Sequence, residues 1–213
     1  AFDGWSIGLV VGELIELYKA KKEDRRPVLK ELPVQYADYA VWQRQHLSGA
    51  LLEGKIEYWK QQLQGVQPLA LPTDYPRPAM VNVHGGMIRK RIGKQITEGL
   101  TFLSRQEGVT LFMTLLAALQ VLLYRYSGEE DICIGSPIAG RSQQELEGLV
   151  GFFINVLVLR NRVEGQQTFR ELLRRVRKVT LDAYEHQDVP YEKIVDALDI
   201  RRDTSRNPLF QVK

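Results

Sequence analysis

Residues 150–160 read Val150-Gly151-Phe152-Phe153-Ile154-Asn155-Val156-Leu157-Val158-Leu159-Arg160. The run 152–159 is short, apolar and rich in β-branched and aromatic side chains, which predicts a strand of a core sheet. Upstream, 131–136 is a second short apolar run and predicts another buried strand. Before it, 111–126 predicts a helix that is apolar on nearly all sides, hence a core helix, and 95–106 predicts a helix preceding that one. Downstream, Thr168-Phe169-Arg170-Glu171 has the form of a capping box and predicts a long amphipathic helix to about residue 185. Pro190, at a first helical position, predicts a further helix to about residue 198. Strands alternating with helices imply an α/β layered fold with a core sheet.

The amino-terminal part is helical. Ile7, Val10, Val11, Leu14 and Tyr18 share one face of a helix, with Ser6 as the expected N-cap. The charged stretch 19–26, closed by Pro27, reads as a solvated linker between two lobes. Helices are expected at about 36–46 and 51–63; in the second, Leu52, Ile56, Trp59 and Leu63 share a face. Pro68, Pro72, Pro76 and Pro78 then force an extended or turn-rich segment, because each ring fixes φ and removes a donor. Residues 87–92 alternate apolar and basic side chains and predict a half-exposed strand. Trp5 and Trp42 are expected to pack in the core or between lobes. The chain starts at Ala1 without a Met and stops at Lys213, where a strand seeded at Leu209 is expected, so both ends read as cut.

The 213 residues are 44% apolar and 26% charged, with 29 basic against 26 acidic side chains. That composition fits a globular protein with a sizeable core, and a net charge of +3 argues against a nucleic-acid partner. Cys133 is the sole cysteine, which excludes an internal disulfide and any multi-cysteine zinc site; inside an apolar run it reads as a buried structural thiol. No apolar run approaches the roughly 18 residues of a membrane span, so no membrane partner is expected and the cytoplasm is the expected location. His46, His84 and His186 lack metal-ligand spacing, and no metal is expected. Residues 135–140, Gly-Ser-Pro-Ile-Ala-Gly, lack the spacing of a serine elbow and read as a loop leading from a buried strand into a channel. Composition and spacing stop there, at an α/β domain.

Five short motifs in one order go further. They are Asp3-Gly4-Trp5-Ser6, Tyr36-Ala37-Asp38-Tyr39-Ala40-Val41-Trp42, Gly151-Phe152-Phe153-Ile154-Asn155, His186-Gln187-Asp188-Val189-Pro190-Tyr191-Glu192 and Arg202-Asp203-Thr204-Ser205-Arg206-Asn207-Pro208-Leu209. Together they resemble the condensation domains of non-ribosomal peptide synthetases. Val156 stands where that family has Thr, and Tyr191 where it has Phe. The resemblance implies a chloramphenicol-acetyltransferase-like two-lobe fold. Residues 1–26 would be the end of the amino-terminal lobe and a linker, and 27–213 a partial carboxy-terminal lobe with a mixed sheet and packed helices. It implies amide formation between a peptidyl and an aminoacyl thioester carried on the phosphopantetheine arms of upstream and downstream carrier domains. An adenylation domain would belong to the same assembly line, and no cofactor would bind the chain itself. The family's histidine pair would precede Ala1, so the chain alone is expected to be inactive. An epimerisation domain of the same superfamily, or a silent interaction module, is the alternative; Trp5 directly after Gly4 looks more like a condensation domain.

The resemblance also distributes roles. Asp3 would pair with Arg141 to fix the histidine loop; as a plain helix-end carboxylate it would instead favour the macrodipole. Gly4 would permit close approach or positive φ at that turn. Ser136, Asn155 and Asn207 would face the substrate tunnel, with Asn207 equally readable as a turn residue before Pro208. His186 and Asp188 would organise a helix–loop junction, and Trp42 belongs to the structural motif.

Overall fold

A computed structural model of the chain describes residues 1–80, 84–200 and 203–213. Among these, seven α-helices and two strands follow one another: α1 (Gly4–Lys22), α2 (Tyr36–His46), α3 (Gly49–Leu63), α4 (Lys94–Gln106), α5 (Leu111–Ser127), β1 (Asp131–Ile138), β2 (Asn155–Arg162), α6 (Phe169–Glu185) and α7 (Tyr191–Ala197). The strands pair antiparallel from Asp131 opposite Arg162 to Ile138 opposite Asn155. A single parallel bridge joins Ile134 to Val212, and the Gly135 N–H donates to the Val212 carbonyl at 2.9 Å. That bridge is all that forms of the strand expected from Leu209. The Arg202 end of the last motif lies outside the described residues.

The core lies where the sheet meets α5, α6 and α7. Ile132, Cys133 and Ile134 of β1 and Leu157, Val158 and Leu159 of β2 are buried, as are Leu172, Leu173, Val176 and Ala183 of α6. Successive strand residues buried on both faces mark a sheet covered on both sides. The Arg160 guanidinium forks onto Asp131 at 2.7 and 2.8 Å and also donates to the Gln62 and Gln64 carbonyls, fastening the end of α3 to the sheet. The Cys133 thiol is buried, and burial pushes it up to about 12, so it stays protonated and inert at neutral pH. The capping box at Thr168 forms as expected, with the Glu171 carboxylate accepting from the Thr168 N–H at 2.7 Å.

Several expectations need correction. Asp3, not Ser6, caps α1; Ser6 lies one turn inside and is fully buried. The charged stretch 19–26 is partly helical, since α1 runs to Lys22. Lys19, Lys21 and Lys22 occupy its last turn, where the macrodipole favours cations. Residues 87–92 form no strand: alternation alone does not hold a strand without a neighbour to pair with. The 135–140 loop is shorter than expected, because β1 continues through Ile138, while β2 starts only at Asn155. Helix α5 buries one face and leaves Phe112, Leu115, Leu122 and Tyr126 exposed. Trp5 and Trp42 are 51% and 40% exposed, so neither is a core residue.

A smaller cluster sits apart from the main core. Leu146, Leu149 and Phe153 pack together with Leu32, Val34 and Tyr39 against them. These belong to the β1–β2 connection and to the segment around α2, and they form the floor of the site.

Candidate functional site

The site grows from Asp3. Its backbone N–H donates to the Gly151 carbonyl at 3.0 Å, bringing the start of α1 onto the segment before β2. Its Oδ1 accepts from the Ser6 N–H at 3.1 Å, which caps the helix, and its Oδ2 accepts from the Phe153 N–H at 3.0 Å. Arg141 Nη2 lies 3.3 Å from Oδ1, and both side chains are almost wholly buried. Asp3 is therefore helix cap and ion-pair partner together. Burial alone would push its carboxyl up, but the N–H groups of Phe153 and Ser6, the Ser6 hydroxyl and Arg141 outweigh it and hold the group below its ordinary value.

Arg141 is fastened through both terminal nitrogens, while its buried Nε has no partner among the described residues. Nη1 donates to the carbonyls of Leu146 and Leu149, the latter at 2.8 Å, and Nη2 donates to Ser6 Oγ at 3.0 Å. The guanidinium lies over the Phe153 ring at 4.1 Å and near the Trp5 ring at 5.7 Å. Desolvating this cation would be costly without such partners; with them it becomes a rigid hub. Ser6 Oγ also accepts from the Gly151 N–H at 3.1 Å, and its proton can reach Asp3 Oδ1 or the Gly151 carbonyl. The Trp5 indole N–H donates to the Glu147 carbonyl at 3.1 Å.

Two glycines are explained by this packing. A Cβ on Gly151 would strike the Tyr36 ring, whose hydroxyl donates to the Phe152 carbonyl at 2.9 Å. Gly140 has φ +66, and a Cβ there would strike the Phe153 carbonyl. Gly4 is different. It opens α1, has no left-handed φ, and a Cβ on it would meet nothing within 4 Å, so neither expected reason applies.

Beside this hub is a cleft of about 340 Å³, bounded by Tyr39, Trp42 and His46 of α2, by 152–156, and by 187–192. Trp42 stacks on His46 with centroids 4.8 Å apart. Asn155 lines the cleft but is fully engaged. Its amide donates to the Gln187 and Val189 carbonyls, each at 2.8 Å, and its Oδ1 accepts from the N–H groups of Val156 and Tyr191. Asn207 Oδ1 accepts from the Tyr191 hydroxyl at 2.6 Å and from the Leu209 and Phe210 N–H groups, closing a turn. Ser136 lies mid-strand opposite Leu157, away from the cleft lining. His186 caps the end of α6, stacks on Tyr58 at 3.8 Å and places Nδ1 2.8 Å from the Asp182 carbonyl. Lys55 bridges Asp188, at 2.9 Å, and the Glu185 carbonyl at 2.7 Å.

The structure thus gathers Asp3 and Arg141 at one hub, and Asn155, His186, Asp188 and Asn207 around the 185–191 junction. Sequence reasoning missed Ser6 as the shared hydroxyl, Phe153 as the platform under Arg141, and Tyr191 as the partner of Asn207. The spacing Asp3-x-x-Ser6 was the available signal for the first. Among the described residues, no group of three or more His, Cys, Asp and Glu side chains could hold a metal ion.

The condensation-domain family profile matches residues 1–213. A linear gramicidin synthase protein of Brevibacillus parabrevis is 56% identical over 212 residues, 99% of this chain but 4% of that protein. The X-domain from teicoplanin biosynthesis superposes with a TM-score of 0.92 at 30% identity, covering 100% of this chain and 48% of that one. A four-domain nonribosomal peptide synthetase bound to AMP and glycine gives 0.83 at 28% identity, covering 99% and 16%. The chain therefore spans a small fraction of the synthetase it matches by sequence and about half of the X-domain.

Proposed function

Since the chain belongs to the condensation-domain family, we propose that it contributes to amide formation between a carrier-bound peptidyl thioester and a carrier-bound aminoacyl thioester. In that reaction the acceptor's neutral amine attacks the donor's thioester carbon. The new C–N bond forms, the C–S bond breaks, the nitrogen loses a proton and the departing thiolate gains one. The thioester is already activated, so proximity, orientation and proton management supply the rate. The partners would be an upstream and a downstream carrier domain, with an adenylation domain on the same assembly line, and the substrates would ride on phosphopantetheine. The location would be the cytoplasm; among the described residues no single helix is long and apolar enough to cross a membrane.

The observation that carries this reading is the buried Asp3–Arg141 pair with Ser6 and Phe153 around it. A reaction governed by orientation needs a rigidly held turn at the start of α1. The hub supplies it by tying Asp3 to 149–153 through charge and hydrogen bonds. We assign residues 1–26 to one lobe and its linker, and 27–213 to the second. The division is supported by α1, whose apolar face is exposed, with Leu14 and Tyr18 at 63% and 70%. Asn155 and Asn207 are proposed to act near the substrate path by holding backbone; Ser136, mid-strand and outside the cleft lining, is not given that role.

The test is carrier-dependent peptide formation followed by mass spectrometry. The full-length protein should form amide, and Asp3→Asn should lower its kcat by about 10²-fold, the scale of an ångström-sized misplacement. The 213-residue chain, which contains no adjacent histidine pair, should form none. Peptide formation by that chain alone would remove the chemistry from the histidine pair.

A further inference from the structure

Tyr191 stands between two cavities. On one side is the cleft of about 340 Å³. On the other is a hollow of about 380 Å³, lined by Val195, Thr204 and Pro208 and bordered also by Glu192, Asp196 and Asp203, with carbon making up most of its accessible wall. Tyr191 and Glu192 border both. Glu192 is exposed, whereas the Tyr191 ring is half-buried between them.

The ring is pinned at both ends. The Tyr191 N–H donates to Asn155 Oδ1 at 3.1 Å, fixing the backbone. The hydroxyl donates to Asn207 Oδ1 at 2.6 Å, fixing the tip. The same Asn207 oxygen accepts from the N–H groups of Leu209 and Phe210, so the tip is tied to a closed turn rather than to a loose side chain. Phe210 packs beside the ring at 5.7 Å. A side chain restrained in this way is a fixed partition.

We propose that Tyr191 is a specificity-determining residue, the end wall that limits how large an apolar group the cleft admits. The claim rests on the amide-forming reading given above. The accessible wall of the space behind is mostly carbon, although Glu192, Asp196 and Asp203 also border it, so it would receive an alkyl chain or an aromatic ring, while an anionic group would lose its hydration there and meet like charge. The hydroxyl matters as well as the ring. Phe at this position, as in the motif the sequence resembles, would keep the bulk but lose the tie to Asn207, leaving a partition free to swing.

The experiment uses the full-length protein with paired thioesters that differ only in one side chain, alanyl against phenylalanyl, offered in equal amounts and varied first on the donor and then on the acceptor. Tyr191→Ala should move the product ratio toward the phenylalanyl substrate by about tenfold on one of the two sides, the scale of a changed apolar pocket. Tyr191→Phe should move it the same way by less. An unchanged ratio on both sides, with turnover retained, overturns the proposal. A second arm needs no turnover: crystals of the Tyr191→Ala protein under xenon should show one continuous gas-occupied cavity where the parent shows two. Two separate cavities in the variant also overturn it. If the parent protein forms no amide at all, the amide reading fails, and the xenon arm still decides whether Tyr191 divides the space. Should the alanine variant not fold, Tyr191→Leu replaces it in both arms.

Discussion

Helices α1 and α6 are 19 and 17 residues long; α6 carries a sharp apolar stripe at helical spacing, whereas the apolar residues of α1 run nearly all round it. Helix α6 buries its stripe: Leu172, Leu173, Val176 and Ala183 lie against the sheet and α5. Helix α1 leaves Ile7, Val11, Leu14 and Tyr18 between 48% and 70% exposed. It is fastened mainly at its first turn, by Asp3 and Ser6 to Arg141, Gly151 and Phe153, with Trp5 donating to the Glu147 carbonyl. At its far end the Glu16 carboxylate holds Arg25 at 2.6 Å. One helix is held by area and the other by directed polar contacts. Apolar side chains on a helix declare a surface to be covered; what covers it is a separate matter, and α1 keeps its place through a few atoms.

The sharpest way to break this contrast is to remove the hub. Arg141→Ala should destabilise the chain by about 3–5 kcal/mol, because it removes the counter-charge of the buried Asp3 carboxylate and the donors to the Leu146 and Leu149 carbonyls. Chemical denaturation measures it, and a loss below about 1 kcal/mol would show that α1 is not held this way. The same contacts predict an acid dependence. Because Asp3 is held below its ordinary value in the folded chain, its contribution is fully present above the unfolded carboxylate range near pH ~4 and disappears as pH falls through the folded value. Asp3→Asn should flatten that acid limb of the stability curve; an unaltered limb would assign it to other carboxylates.

The companion test acts on area. Leu173 is fully buried, and Leu173→Ala should cost about 2–5 kcal/mol through lost transfer energy and the cavity left behind. Equal losses from Leu173→Ala and Leu14→Ala would erase the distinction between the helices. The smallest expected effect sharpens it: Leu14→Ser on α1 should change stability by within about 0.5 kcal/mol in this chain, while lowering the binding of a hydrophobic dye to the exposed apolar surface.

Much of the helical layout is legible in the sequence because a 3.6-residue period survives in α3, α4 and α6, and because the Thr168–Glu171 box marks its helix start without ambiguity. Strand limits are less so. Phe152 and Phe153 look like strand residues, yet Phe153 leaves the ladder to seat Arg141 and give its N–H to Asp3. The run 87–92 alternates without a partner to pair with. The Asp3–Arg141 pairing comes from the family resemblance, since 138 positions separate the two and no local pattern joins them. Ser6 is easily taken for the cap because Asp and Ser both serve well there, and which one does is decided by Gly151 and Arg141, far along the chain. Tyr191 looks like a mild substitution because its hydroxyl acquires meaning only beside Asn207.

The close seating of Phe210 on Gly135 has a practical consequence for building chimeras. A Cβ on Gly135 would collide with the Phe210 ring, and the bridge from Ile134 to Val212 runs alongside. Any graft that exchanges the strand at 131–138 but keeps the host's 207–213, or the reverse, brings together halves of a lock that were not cut for each other. A crossover that carries both segments from one parent keeps the ring in its slot. One that separates them should be chosen only where the incoming strand also has glycine at the position facing that ring.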